Sequence, residues 1–518
     1  MEETNLKEDN PSSTSKENEN LKDSQILDSY ESSEIETSRF VFVQSPYFSS
    51  WVSKSNLDGA QEPKHAPDFS PRVLDNSIIA DSKNFSEFLA SSKTCAVFAD
   101  LHIHSRFSRA CSKDLNLVNL VKWARIKGLG LLGTGDFTHN EWLSELKNNL
   151  KEENGIFWYN PISLSKDNEN SKIAAEAENK GFPFILSSEI SLIYTQNGKG
   201  RSVHLVYLAP DFEAVDKINS WLDTKGRRDY DGRPIFKISC RDFAAKMQEI
   251  DDRIEVICAH SFTPYFGIFG SESGFDSLKE AFEDKLDRIH AIETGISADP
   301  EMCWKIKDLN NISILSFSDA HSFWPWRLGR EASIFSLENG KELSYDSIIN
   351  QIRENNFIGT IETDPAYGKY HFDGHINCNF SSSPEETRKL NGICPVCGKP
   401  LIIGVDNRVE KLASSDSNPK IKHFYYKVLP LHEIISLAIG IGVNSKATWK
   451  IYNELIDNFE TEFNILLNVS KIELAKVIKS ELLVDLIIRN REGKIKVKAG
   501  YDGKYGEPVL SEKQARLF

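Results

Sequence analysis

The sequence lacks any apolar run of about 18 residues, so no membrane-spanning helix is expected. Its start, Met1-Glu-Glu-Thr-Asn, is acidic and polar, and neither a signal peptide nor a transit peptide is expected there. Cysteine is sparse: eight are scattered among 518 residues, and only Cys394 and Cys397 form a C-x-x-C pair. That usage excludes a disulfide scaffold and points to a reduced, cytoplasmic setting. A positive balance is also missing. Net charge is −14, and residues 1–40, with eleven acids and four bases, carry half of it. Such a chain is not one that coats nucleic acid through overall charge, although a local basic groove stays open to it. Divalent ions bound by several of its carboxylates would offset part of the deficit. There is no G-x-S-x-G elbow, no Cys–His nucleophile signature and no internal repeat.

What is present divides by composition. Residues 1–40 read as a disordered acidic tail, poor in apolar residues. Residues 41–93 form a poorly defined extension with scattered aromatics (Phe42, Tyr47, Phe48, Trp51). From Ala96 short apolar runs alternate with helical segments, and most runs end in or carry a polar residue. These are Ala96–His104, Gly130–Asp136, Phe184–Glu189, Val203–Leu208, Ile254–His260, Ile289–Glu293 and Ile312–Asp319. Helical spacing lies between several of them, over Leu117–Lys127, Phe212–Leu222, Asp242–Ile250 and Asp276–Phe282. Polar strand ends in a strand–helix alternation predict an α/β barrel over 94–365 with its site at the carboxyl edge. A module rich in His, Cys, Gly and Pro follows at 366–415. Residues 416–510 read as helical over Leu429–Leu467 and Ile472–Leu483, then as a hairpin over Val484–Lys498 around Glu492-Gly493. Residues 511–518 close the chain.

The chemistry sits at the strand ends. His102 and His104 are two apart on a strand, which turns both to one face and lets them hold one ion. Asp136 and His139 follow in Gly133-Thr-Gly-Asp-Phe-Thr-His, and Glu189 ends a strand where a carboxylate can bridge two ions. His204, His260 and the pair Asp319-Ala-His321 complete the set. Six of the twelve histidines and three acids thus share one kind of position. A single such histidine is more often a structural residue, but for the whole set that excuse would be needed nine separate times. Metal binding is the expectation. Ions there would acidify water and neutralise charge on a phosphate, so no side-chain nucleophile is required.

In order, H-x-H, D…H, Glu, His, His and D-x-H resemble the polymerase and histidinol phosphatase (PHP) superfamily. More closely, Asp100-Leu-His-Ile-His-Ser-Arg-Phe-Ser-Arg, Gly133-Thr-Gly-Asp-Phe-Thr-His, Gly270-Ser-Glu-Ser-Gly-Phe-Asp, Lys369-Tyr-His-Phe-Asp-Gly-His and Gly392-Ile-Cys-Pro-Val-Cys-Gly-Lys-Pro resemble the endonuclease Q family, over roughly residues 95 to 510. The resemblance implies a distorted seven-stranded (β/α) barrel of PHP type with up to three divalent ions (Zn, Mn or Mg). The ligands it implies are His102, His104, His139, Glu189, His204, His260, Asp319 and His321. Asp136 departs from the superfamily spacing, because two residues separate it from His139, and it can instead orient a ligand. The implied activity is DNA repair: cleavage 5′ of deaminated bases (uracil, hypoxanthine, xanthine) and abasic sites, with Asp319, Glu189, Asp136 and His139 at the chemistry. The amino-terminal extension is a departure from the family.

Arg106, Arg109, Lys113, Lys199 and Arg201 lie in or near ligand-bearing loops and could hold phosphates; ordinary solvated charge is the competing reading. Tyr265, Phe266 and Phe269 could stack on an everted base, or simply fill core. His375-x-x-Cys378 and Cys394-x-x-Cys397, fifteen residues apart, have the spacing of a structural zinc, with His371 and Asp373 as rivals for the fourth place and a redox disulfide as the alternative. Gln514-Ala-Arg-Leu517-Phe518 resembles the start of the sliding-clamp-binding peptide but lacks its second aromatic, and a frayed terminus competes. A small-ester phosphatase of the same barrel type and a non-catalytic DNA- or clamp-binding scaffold are the alternative functions. The zinc module speaks against the first and the full ligand set against the second.

Overall fold

The computed structural model describes residues 94–160, 181–338, 340–419 and 421–510, together with the backbone of 40–45 and 48–53, which pair as an antiparallel hairpin. The expected acidic tail, most of the 41–93 extension and the tail bearing Gln514, Leu517 and Phe518 lie outside the described residues. No described helix is long and apolar enough to cross a membrane.

Seven strands make the barrel: β1 (Thr94–Asp100), β2 (Leu131–Gly133), β3 (Phe182–Gln196), β4 (Lys199–Ala209), β5 (Glu255–Cys258), β6 (Ala291–Glu293) and β7 (Ser313–Leu315). They are hydrogen-bonded in sequence order. All neighbours are parallel except β4, which runs against both β3 and β5. A parallel bridge between Ile103 and Ala320 joins the extensions of β1 and β7 and closes the ring. Outside it, β8 (Ala332–Glu338) pairs antiparallel with β1, and β9 (Gly359–Glu362) and β10 (Phe424–Lys427) extend the sheet. This is the distorted PHP-type barrel.

Strand alternation explains why the apolar runs are nearly continuous. Val97, Ala99, Leu131, Ile185, Val206, Ile257, Ala291 and Leu315 pack in one buried cluster that draws on all seven strands. Their neighbours Phe98, Leu132, Phe184, Leu205, Val256, Ile292 and Ile314 belong to a second cluster, shared with the covering helices. With both faces buried, no strand has a polar side until it reaches the rim. The helices Leu117–Lys127, Phe212–Asp223 and Cys240–Ile250 fall where the periodicity places them.

The carboxyl-terminal region is mainly helical, with helices at Leu431–Ile439, Lys446–Phe459, Glu462–Leu467, Lys471–Val477 and Glu481–Arg491. It is fastened to the barrel by a buried ion pair, Lys127 Nζ to Glu462 Oε1 at 2.8 Å. The hairpin expected over Val484–Lys498 is corrected. Ser480 caps a helix whose Leu483, Val484, Leu486, Ile487 and Asn490 are buried at helical spacing. Glu492-Gly493, read as a hairpin turn, lies just past that helix's end, with Gly493 at φ 62°. The hairpin lies later, pairing Lys496–Lys498 with Glu507–Val509.

Candidate metal centre

Every barrel strand delivers a polar residue to one rim. His102 and His104 follow β1, Asp136 follows β2, Glu189 lies in β3 and His204 in β4. His260 follows β5, Glu293 ends β6, and Asp319 and His321 follow β7. Asp136, His260 and Asp319 have φ of 46°, 29° and 48°, a region non-glycine residues rarely occupy and one that collects at functional sites.

Two groups of donors form, each with atoms within 4.8 Å of one another: His102, His104, Glu189 and Asp319, and Glu189, His204 and His260. Glu189 is their common member. Its Oε2 lies 3.2 Å from His104 Nε2 and 3.5 Å from His102 Nε2, and its Oε1 lies 2.8 Å from His204 Nδ1 and 3.2 Å from His260 Nε2. Asp319 Oδ1 is 3.1 Å from His104 Nε2 and 3.6 Å from His102 Nε2.

The imidazoles are aimed from behind. Glu293 Oε2 meets His102 Nδ1 at 2.7 Å, Asp136 Oδ1 meets His104 Nδ1 at 3.0 Å, and Thr263 Oγ1 meets His260 Nδ1 at 3.0 Å. Asp136 Oδ2 also accepts from the Ser105 N–H, the Ser105 hydroxyl and the Ser108 hydroxyl. It therefore orients His104 rather than joining either donor group, the alternative its sequence spacing had left open. Gly232 packs on this carboxylate so closely that a Cβ would fall 2.3 Å from Asp136 Oδ2.

The donor chemistry suits divalent cations. Burial opposes ionisation of Glu189, yet the His204, Arg233 and His102 side chains around it hold its carboxyl well below the usual range. Asp319 behaves alike, with His321 and His102 opposing burial. Burial lowers His204 to about 3 and His321 to about 4, leaving neutral imidazoles with free lone pairs. His102 and His104 go the other way: burial opposes a proton, but Glu293 and Glu189 around the one and Asp136 beside the other favour it. His102 Nε2, buried and without a hydrogen-bond partner, faces two carboxylates that call for positive charge. A divalent cation answers that call better than protons do.

His139 and His321 lie outside both groups. His321 lies tilted against His104, ring centres 4.5 Å apart, and His139 stacks on Phe107 at 4.3 Å with Nδ1 buried and unpartnered. Two residues were missed. Glu293 closes an apolar run as Glu189 does, and that position was its signal. Arg233, whose Nη1 is 3.0 Å from Glu189 Oε2, sits in Asp231-Gly-Arg-Pro, and nothing local marks it.

The phosphate and base readings change most. Arg201 is corrected: it is buried, bonded to the Gly274 carbonyl and paired with Glu280 at 2.6 Å, so no phosphate reaches it. Phe266, half-buried, stacks one face on His204 at 4.3 Å, and Phe269 is core. Arg106 is paired with Glu145 at 2.6 Å. Arg109 is 79 % exposed with one weak contact, 3.5 Å to Asp231, and Lys113 and Lys199 are exposed. Tyr265 is 42 % exposed, edge-on to Tyr370.

The second cluster is complete in itself. His375, Cys378, Cys394 and Cys397 bring four donors within 4.8 Å of one another, with Cys397 Sγ 3.2 Å from His375 Nδ1. A hairpin (Asp373–His375 with Phe380–Ser382) carries one pair of ligands. The tight turn of Gly398 N–H onto the Cys394 carbonyl carries the other. Neither rival stands in the group: Asp373 accepts from the Gly404 N–H and Asn407, and His371 lies toward Ser297.

Residues 430–494 match the family described as MJ0043 C-terminal domain. The MJ0043 protein of Methanocaldococcus jannaschii is 34% identical over 289 residues, 54% of this chain but only 34% of that protein. The lesion-specific endonuclease PfuEndoQ of Pyrococcus furiosus superposes with TM-score 0.69 at 30% identity, over 82% of this chain and 97% of that one. An endonuclease Q in complex with a 27-mer duplex substrate, an abasic lesion at its active site, gives TM-score 0.69 and 30% identity over 81% and 98%.

Proposed function

The chain belongs to the endonuclease Q family, and on that premise we propose that it is a metal-dependent DNA repair endonuclease. Its proposed substrates are duplexes carrying deaminated bases (uracil, hypoxanthine, xanthine) or abasic sites, cut on the 5′ side of the lesion. The observation that carries this reading is Glu189, whose two oxygens face two separate donor groups. His102, His104, Glu189 and Asp319 would hold one ion, Glu189, His204 and His260 a second, and His139 and His321 are the proposed additional ligands of a third. Bound there, divalent ions supply Lewis acidity that acidifies water and neutralises phosphate charge.

The protein's own groups do the rest. Glu293 and Asp136 fix the tautomers of His102 and His104 so that each presents Nε2 inward. Arg233 places a guanidinium at the rim where a phosphate would approach. Phe266 and Phe107 cover His204 and His139. Specificity would come from the lower cost of everting a base that is mispaired or missing. The four ligands around His375 are proposed to hold one structural zinc, and the tail with Gln514, Leu517 and Phe518 remains a proposed clamp contact, tested by stopping the chain after Ser511 in a clamp pull-down.

The deciding experiment incubates the full chain with labelled duplexes bearing one uracil, one hypoxanthine, one abasic site or none, with Mn²⁺ or Mg²⁺ and with chelator. Cleavage 5′ of the lesion that needs metal and is lost in Asp319→Asn is the expected result. Equal cutting of the undamaged duplex would overturn lesion recognition, and full activity in Asp319→Asn would overturn the metal site.

A further inference from the structure

Two stretches far apart in sequence, Ala366-Tyr-Gly-Lys-Tyr-His371 and Gly500-Tyr-Asp-Gly-Lys-Tyr-Gly506, are laced together by backbone bonds. Gly500 N–H donates to the Ala366 carbonyl at 2.8 Å, Gly503 N–H to Lys369 at 3.0 Å and Gly506 N–H to Tyr367 at 2.9 Å. The approach is so close that a Cβ at Gly500 or Gly506 would lie 2.3 Å and 2.1 Å from a backbone oxygen. The lacing fixes Tyr505 against a third stretch, Trp326-Arg-Leu-Gly-Arg330. Over its ring stand the Arg327 guanidinium at 5.0 Å and the Lys369 ammonium at 4.6 Å.

All three side chains are half-buried. Neither cation has a carboxylate in ion-pair reach among the described residues. Arg330 adds a third charge: it is buried, donates Nε and Nη2 to the Ser318 carbonyl, and faces the Tyr505 hydroxyl. Of the opposing acids, Glu433 is engaged by the Tyr367 hydroxyl at 2.5 Å and raised above the usual range by burial, and Glu331, beside Arg330, is pushed up by burial to about 7. Burial likewise opposes ionisation of Tyr505, yet Arg327, Arg330 and Lys369 bring its hydroxyl down to about 7. Positive charge is therefore in excess here, on a rigid support, and Ser318 directly precedes Asp319.

We propose that Arg327, Lys369 and Tyr505 form a phosphate-binding subsite that holds the DNA backbone beside the metal centre. This rests on the reading of the chain as a DNA endonuclease. Phosphate contacts of this kind set register and orientation without reading sequence. The alternative is that the two cations only pack on the tyrosine ring and hold the loops.

The test is binding of the full chain carrying Asp319→Asn, so that nothing is cut and no metal is stripped, to a fluorescent duplex with one abasic site, read by anisotropy from 50 to 300 mM salt. Each lost phosphate contact lowers the slope of log affinity against log salt by about 0.9. Arg327→Ala with Lys369→Ala should bind more weakly and lower the slope by roughly twice that. Arg327→Lys with Lys369→Arg keeps both charges and should retain most of the slope. A double alanine variant with unchanged slope, whatever its thermal stability, would overturn the subsite and leave packing as the role. Parent protein that cleaves lesion duplexes beside such a variant keeps the endonuclease reading standing. Parent protein that neither binds nor cuts any duplex removes both.

Discussion

Arg233 Nη1 lies 3.0 Å from Glu189 Oε2, the oxygen that also faces His102 and His104. The guanidinium is three-quarters covered, and although burial opposes its charge, Glu189 and Asp319 strengthen it. It shares its carboxylate with the ligands, so it competes with a bound cation for the same negative charge. Arg233→Ala should therefore bind Mn²⁺ at least as tightly as the parent, by calorimetry, while cleaving about 10²-fold more slowly through loss of a charged donor. Parallel losses in metal affinity and rate would instead make Arg233 a support of the metal site.

Behind the ligands, Glu293 should matter without touching an ion. Its carboxylate fixes His102 from 2.7 Å, and loss of such outer partners costs about 10–100-fold in metal affinity. Glu293→Gln should show that loss with an unchanged circular dichroism spectrum. Unchanged affinity would mean that His102 is held by packing alone.

Much of this was legible in the sequence because one physical constraint writes both fold and site. Barrel strands buried on both faces must be apolar until they reach the rim, so the polar residues that follow them stand out: His102, His104, His260 and Asp319; Glu189, expected to end its strand, instead lies within Phe182–Gln196. The first helix, Leu117–Lys127, could be placed to the residue because Asn116 caps it and Gly128 ends it at φ 97°. The cations were less legible. Arg201 and Arg327 look alike in sequence, yet one is sealed against Glu280 and the other lies over Tyr505. That difference comes from residues 79 and 178 positions away, which no local pattern records. Glu492-Gly493 misled because the same pair can close a hairpin or follow a helix end, and the burial of Leu486, Ile487 and Asn490 decides for the helix.

The small module gives a separate test. Its four donors stand on short turns with little core: Cys397 is exposed, Val396 is 66 % exposed and Ile393 39 %. A metal bound there would be the main source of its order. Cys394→Ser should lose one zinc per chain by elemental analysis and expose 373–402 to protease. The rim should keep its own metals. Unchanged zinc content in that variant would sink the structural role.

Away from the rim donors, one buried acid should tie stability to pH. Glu331 is 1 % exposed. Thr363 donates to its Oε1 through its hydroxyl at 2.7 Å, and its Oε2 has no partner. Burial pushes its carboxyl up from 4.5 to about 7 despite the neighbouring Arg330, and burial together with Glu331 itself holds Glu362 well above the usual range. For an acid raised in the folded state, both states are protonated below about 4.5, and Glu331 then costs nothing. As pH rises toward 7 the unfolded chain releases a proton that the folded chain keeps, so stability falls across that window. At about 1.4 kcal/mol per unit the loss from this residue is up to about 3 kcal/mol. Glu331→Gln keeps the shape and an acceptor for Thr363 without the charge. Its advantage over the parent should be larger at pH 8 than at pH 5, in denaturant midpoints measured side by side so that acid-labile metal sites cancel. A difference between the two chains that stays constant from pH 5 to pH 8 would show that Glu331 does not titrate in this window.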